Sequence, residues 1–447
     1  MTSEAPRSFY KRSPARDNDE PFAGDVIGDR AEIAKRLTTC VDGFTDGCVF
    51  AIDGPWGSGK TWFGKSWQRS LEAQDHRVAR LDAFGSDYAE DPYVLIASCI
   101  GNLAKSGESQ LKDELKRSAV AVGRALLPGL GKAALTIIVE KTVGSNAAEH
   151  LKDAIKGARD DEGDAIEQYV KDKFDRHDRQ SQAVETFRTS LTAFTKIQSK
   201  PVVFIIDELD RCRPDFAVRL VERIKHFFDV PNLVFVLLLN RSQLEAAIRG
   251  IYGQSIDANA YLSKFIQFFV TLSTPATSGE QGIGFAKAYC NELEKRYSHP
   301  NNDKTRCFVN NLAALAPIFN LTFRDLERGF ILFGIADVQS PGRMALLAYL
   351  IALKLRDPDL FHQIAAGDEA AHTAAIGTLA AALTGNTEVQ YLTALINMHK
   401  YRNNTNTQLS PEARTDIRNL VGDGEPSQTI NATIARLAKK IDLLVSN

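Results

Sequence analysis

The sequence predicts an α/β fold: a parallel sheet covered by helices, broken by a helical insertion and followed by an all-α C-terminal region. Three observations carry this. Continuously apolar runs at 48–53, 202–206 and 233–239 are bounded by polar turns, the pattern of strands buried on both faces. Stretches with helical apolar spacing separate those runs, as a parallel sheet with crossover helices requires. From about Gly279 onward the chain is rich in Ala and Leu and gives no further strand signal.

Taken in order, residues 1–24 are polar and Pro-containing, and read as a disordered lead-in. They carry basic residues without an apolar core, which is not the pattern of a secretory signal. Over 29–42, Ile33, Leu37 and Val41 fall four apart on one helical face. The run CVFAID then reads as a strand, the turn GPWGSGKT follows, and a helical segment begins at Trp62. Residues 77–84 predict a second strand, and a helix is expected from Tyr93 to about Leu103. Residues 105–199 are rich in Lys, Asp, Glu and Ala, and Val184, Phe187, Leu191 and Phe194 form a helical stripe there. Within this insertion, Ser118 to Gly144 is the most apolar stretch of the chain. Arg124, Lys132 and Glu140 interrupt it, so a core helix is expected and no transmembrane segment. Over 215–228, Val218, Val221, Ile224 and Phe228 mark a helix between two strands. The expected organisation is a core of 25–104 and 200–278, an insertion of 105–199 and a helical domain of 279–447.

Composition narrows the function. With 447 residues, 44% hydrophobic and 25% charged, the chain has the make-up of a globular protein of two or three domains. Its net charge of −2 lacks the basic balance of a nucleic-acid binder; the local segments DRHDRQ and MHKYRNN read as solvated faces. The six cysteines are scattered, as reduced thiols in a cytoplasmic protein would be. The eight histidines show no metal-ligand spacing.

The chemistry lies in two motifs. Gly54-Pro55-Trp56-Gly57-Ser58-Gly59-Lys60-Thr61 matches GxxxxGK[ST] between a strand and a helix, the context in which that pattern is a phosphate-binding loop. Its glycines let consecutive N–H groups converge on an anion. Lys60 can reach the β- and γ-phosphates, and the Thr61 hydroxyl can ligate Mg²⁺. Trp56 and Trp62 flank the loop; packing against the sheet edge is favoured for them over stacking on a base. The second motif is VVFIIDE, an apolar strand ending in two acids, the Walker B pattern. Asp207 is expected to hold the metal and Glu208 to orient the attacking water. Lys60 and Asp207 lie 147 positions apart, where one strand and two helices need on the order of 60. The surplus is the insertion.

A polar residue ending a strand beside the acidic one would lie near the γ-phosphate, which marks Asn240. Arg211, Arg213, Arg219, Arg223, Arg241, Arg324 and Arg328 are candidates to neutralise developing charge. Arg324, at the start of a helix in LTFRDLERGF, is preferred.

GPWGSGKT, RLDAFGSDYAEDP, IIDELDRCRPDFAVRLVERIKHFF, VFVLLLNRSQLEAAIRGIYG, AYLSKFIQ and LTFRDLERGF together resemble the KAP family of P-loop NTPases, over roughly residues 25 to 335. The resemblance implies an ASCE-type sheet with an extra strand between the P-loop strand and the acidic strand. It implies Walker A at Gly54 to Thr61 and Walker B at Asp207 and Glu208. Asn240 falls where many relatives carry Asp, and Arg324 aligns with the arginine of the family's C-terminal motif. Many members insert transmembrane helices between the two motifs; this chain resembles the soluble bacterial kind, whose relatives are linked to phage exclusion. The expected function is ATP binding and Mg²⁺-dependent hydrolysis acting as a regulatory switch, with further copies of the chain or another protein as partner. The alternative is an ATPase acting on nucleic acid. Glu208 and the lack of an obvious lid disfavour a small-molecule kinase, and the intact motifs disfavour a purely structural nucleotide site. ATP is the default nucleotide, since no guanine-selecting NKxD follows the strands.

Overall fold

The computed structural model describes residues 20–103, 109–126, 166–277, 279–297, 299–383, 390–404, 409–422 and 426–442. Most of the lead-in and residues 127–144 of the apolar stretch lie outside them.

Among the described residues, five strands form one sheet: β1 (Cys48–Asp53), β2 (Val78–Asp82), β3 (Val202–Asp207), β4 (Leu233–Leu239) and β5 (Phe268–Thr271). They are ordered β2-β3-β4-β1-β5 and every pairing is parallel. This is the sheet that the resemblance implies, with β4 between the P-loop strand and the acidic strand. β3 and β4 are buried along their whole length, which explains their continuous apolar sequence. At about 1.5–3 kcal/mol for each large apolar side chain removed from water, these two strands dominate the sheet's stability.

The faces are covered unequally. α1 (Arg30–Asp42) and α2 (Lys60–Glu72) pack through Leu37, Val41, Phe63, Trp67 and Leu71 onto Phe50, Ile52, Val203, Val236 and Leu238. The other face takes α3 (Pro92–Gly101), α4 (Ser109–Leu126), α5 (Ile166–Lys196), α6 (Pro214–Ile224), α7 (Arg241–Tyr252) and α8 (Ala258–Leu262). Phe187, Leu191 and Phe194 of the predicted stripe are fully buried in that layer. The structure trims three expectations. β2 is shorter than 77–84 and gives way to a 3₁₀ turn at Phe84–Ser86; α6 ends at Ile224 and continues as a 3₁₀ turn, Lys225–Phe227; and β5, four residues long, has no strand prediction to match it.

The remaining helices are α9 (Glu280–Arg296), α10 (Asp303–Leu315), α11 (Phe323–Ala336), α12 (Met344–Arg356), α13 (Pro358–Ala366), α14 (Glu369–Leu383), α15 (Gln390–Asn403), α16 (Pro411–Val421) and α17 (Pro426–Ile441). They enclose a core of their own around α12, in which every residue from Met344 to Leu353 is buried. A helix apolar all round belongs at such a centre.

Candidate functional site

The site is built where the parallel strands end, the edge at which open α/β sheets place their ligands. β1 finishes at Asp53 and the chain turns at Gly54, whose N–H donates to the Leu239 carbonyl at 3.2 Å. Gly57 and Gly59 take φ of +84° and +87°, left-handed values that cost an L-residue about 1–2 kcal/mol. These reversals direct successive N–H groups into one concavity, and α2 adds the positive end of its dipole from Lys60 on. One turn into α2, a Cβ on Gly64 would fall 2.4 Å from Leu238 Cδ1. The glycine therefore lets the helix lie against β4 and fixes the height of the loop.

Lys60 is buried, and its Nζ donates to the carbonyls of Gly54 at 2.6 Å and Pro55 at 3.2 Å. Burial pulls its pKa below the ordinary lysine value, while Asp210, Asp53 and Asp207 oppose that shift. The charge is thus held in the loop by nearby carboxylates.

β1 and β3 stand two strand spacings apart, about 10 Å, with β4 between them. α2 closes that gap: the Thr61 hydroxyl lies 3.3 Å from Asp207 Oδ1. Oδ1 also accepts from the Glu208 N–H at 2.9 Å, and Oδ2 is paired with Arg80 Nη2 at 2.5 Å. Asp207 is 1% exposed. The donor set of a hydroxyl and a carboxylate fits magnesium, which takes oxygen ligands and keeps several waters. Glu208 sits at φ +60°, and its Oε1 pairs with Arg211 Nη1 at 2.8 Å. Burial raises its pKa, Arg211 lowers it, and the neighbouring Asp207 raises it further; the net shift is upward.

A cavity of about 390 Å³ joins these groups. The loop from Trp56 to Trp62 forms one wall, and Asp207, Glu208, Asp210 and Arg211 form another. The third wall comes from the C-terminal helices, through Tyr289, Phe323, Arg324 and Glu327. Contact there is close: a Cβ on Gly57 would fall 2.8 Å from both Arg324 Cβ and Thr322 Oγ1. Thr322 caps α11 in a reciprocal capping box with Asp325. The first turn of α11 therefore rests directly on the phosphate loop.

Of the sequence candidates, the loop residues from Trp56 to Trp62, Asp207, Glu208, Arg211 and Arg324 come together here. Asn240 is not among the described residues lining the cavity; it precedes α7, and its Oδ1 accepts from Ser242 Oγ at 2.8 Å. Arg213, Arg219 and Arg223 bind the 87–91 segment, through the Asp87 carbonyl at 2.6 Å, the Glu90 carbonyl at 2.9 Å and the Asp91 carboxylate at 2.8 Å. Arg241 is held by Glu245 at 2.9 Å and lies over the Phe269 ring, and Arg328 is exposed. The tryptophans correct the expectation of packing on the sheet edge. Trp56 is 45% and Trp62 40% exposed; Trp56 Nε1 donates to Asp210, and Trp62 meets the edge of the Phe22 ring. Trp56 has a polar partner and Trp62 an aromatic one, and neither needs the sheet.

Sequence reasoning missed Arg30 and Arg80. Arg30, 2% exposed, donates to the Ser58 carbonyl in the loop and to the Ser273 carbonyl just after β5. Burial lowers its pKa, against the pull of Asp29 and Asp25. The available signal for Arg80 was a charged residue between the apolar residues of a strand; Arg30 gave none.

The profile of the KAP family P-loop domain matches residues 30–338. The chain belongs to the KAP family of P-loop NTPases. The match spans the sheet, the loop, the acidic strand and α11, so in this KAP chain the C-terminal wall of the cavity falls within the family's own domain. No curated protein matches the chain. Among solved structures it is similar to the ORC2 protein of Aeropyrum pernix. Against the ADPNP-ADP complexes the TM-score is 0.34 at 13% identity, covering 98% of this chain and 97% of that one. Against the ADP form it is 0.34 at 12%, with the same coverage. Among the described residues of the KAP chain, no helix is long and apolar enough to cross a membrane, and no group of three or more His, Cys, Asp or Glu side chains could hold a metal.

Proposed function

We propose that the chain binds ATP with Mg²⁺ and hydrolyses it in the cytoplasm, and that nucleotide state moves the helices after residue 278, as a separate lid domain, in a regulatory switch. The observation that carries the reading is the seat of α11 on Gly57. It puts Arg324 in the same cavity as Lys60, Thr61, Asp207 and Glu208.

In this reading the loop amides and Lys60 bind the β- and γ-phosphates, and Lys60 exchanges the Gly54 and Pro55 carbonyls for phosphate oxygens. Thr61 and Asp207 would hold the magnesium ion, which supplies charge neutralisation to the phosphates. Glu208, released from Arg211, accepts the proton of the attacking water on its carboxylate. The water oxygen forms the new bond to the γ-phosphorus, and the bond to the β–γ bridging oxygen breaks with its electron pair leaving on ADP. Arg324 neutralises charge on the transferring group, an effect worth about 10³–10⁵ in rate where an arginine acts this way.

The test is phosphate release with ATP and Mg²⁺ for the parent and Glu208→Gln, with mass recorded with and without nucleotide. Turnover by the parent, and binding without turnover by the variant, is the expected result; a nucleotide-dependent change in mass supports the switch. Binding without turnover by both proteins would reduce the reading to nucleotide binding. Phage defence is proposed as the setting on the family resemblance alone. Unchanged plaque counts between cells carrying the parent and Lys60→Ala would remove it.

A further inference from the structure

A second hollow, of about 570 Å³, lies at the open edge of the sheet between α2, β2 and the end of α3. Thr61, Lys65, Asp207 and Glu208 line both this hollow and the nucleotide cavity. We propose that it is the exit for inorganic phosphate, which leaves along the sheet edge while the nucleoside diphosphate still occupies the loop. The inference rests on the hydrolysis reading above.

The partition between the two spaces decides the direction. Thr61, Asp207 and Glu208 are the groups placed at the γ-phosphate, so the product forms at the shared wall. On the nucleotide side its way out passes the diphosphate and the wall of Tyr289, Phe323 and Arg324. On the other side the hollow has room for a phosphate with its hydrating waters, at roughly 30 Å³ of liquid for each water.

Charge along the hollow is mixed, two cations against three acids. The hollow offers Lys65, which is exposed, and Arg80, whose Nη2 holds Asp207 while its Nε is buried with no hydrogen-bond partner. Its acids are already engaged. Asp207 is paired with Arg80, Glu208 with Arg211 at 2.8 Å, and Asp82 Oδ1 accepts from the Gly85 N–H at 2.9 Å. A departing dianion therefore meets Lys65 beyond the partition, where Arg80 and Asp207 offset each other.

The experiment separates bond cleavage from release in single turnovers of the full chain. Rapid quench measures cleavage, and a fluorescent phosphate-binding protein reports free phosphate. Gln68→Trp narrows the hollow from α2, Leu103→Trp narrows it from the end of α3, and Gln68→Ala widens it. The expected result is cleavage within about twofold of the parent in all three, and release slowed at least about tenfold in the two tryptophan variants only, product release then limiting turnover. Release that keeps pace with cleavage in both tryptophan variants, or cleavage and release slowed together, would overturn the exit and leave hydrolysis standing. Absence of cleavage in the parent would overturn the hydrolysis reading, and the exit with it.

Discussion

The two ends of the molecule solve opposite problems with buried polar groups. At the C-terminal edge of the sheet, charges are gathered and paired: Arg80 with Asp207, Arg211 with Glu208, Lys60 with loop carbonyls. Backbone there takes left-handed φ at Gly57, Gly59 and Glu208, conformations kept only where surrounding structure enforces them. In the helical region one buried polar cluster is neutral. His372 and His399 meet through their Nδ1 atoms at 2.7 Å, and His399 Nε2 meets the Tyr349 hydroxyl at 3.0 Å. With Tyr349 donating to Nε2 and His399 Nδ1–H donating to His372, the relay needs no charge. Burial pushes the two histidines down to about 4 and about 3, with the positive charge of Arg402 adding to both shifts. One end keeps its charges available for exchange with a ligand; the histidine cluster of the other excludes charge to fix a fold.

The comparison can be broken most sharply at the point where the two ends touch. Arg324→Ala is expected to lower turnover by about 10³ with nucleotide affinity nearly unchanged, as read from phosphate release and a binding isotherm. An equal loss in both would mean that the residue acts through folding. Gly57→Val places a branched side chain at φ +84° and against Thr322. It should weaken nucleotide binding by about tenfold, since about 1.4 kcal/mol of strain is one decade.

A pH series sharpens the contrast in the helical region. A histidine whose folded pKa is depressed takes up its proton only on unfolding. Stability is therefore full above about pH 6.5 and falls as pH drops toward the folded values. The slope is about 1.4 kcal/mol per pH unit for each histidine. Thermal melts between pH 7 and 5 should show this slope in the parent, and a much flatter one in the His372→Phe, His399→Phe double variant. The smallest effect is expected at Asn240, whose side chain is occupied with Ser242. Asn240→Ala should alter turnover by less than about threefold, under 1 kcal/mol of barrier, and a loss near a hundredfold would restore it to the site.

What could be read from the sequence follows this division. A phosphate loop needs glycine, lysine and threonine at fixed offsets, so Gly54 to Thr61 could be read directly. Strands buried on both faces must be apolar throughout, so β1, β3 and β4 announced themselves, and their ends located Asp207 and Glu208. Arg324 was preferred for its place at the start of a helix in the second domain, and the family motif agreed, but nothing local states that α11 will rest on Gly57. Asn240 was placed by its position at a strand end, but the direction of a short side chain there depends on its local partner. Arg30 and Arg80 went unseen because each acts across the chain: Arg30 on Ser273, Arg80 on Asp207. Tyr289 and Glu327 gave no signal at all, since a helix lining a cavity reads like a helix lining solvent.

The placement of the indoles has an optical consequence. The chain has three tryptophans, Trp56, Trp62 and Trp67. The first two stand half-exposed at the rim of the cavity; the third is fully buried in α2, its Nε1 bonded to Thr38 at 2.9 Å. All indole emission therefore originates within twelve residues of the phosphate loop, against a constant blue-shifted background from Trp67, while the helical region contributes none. Unlabelled protein thus carries its own reporter: a change in emission on mixing with nucleotide is a signal from the loop, and its time course follows occupancy of that one site.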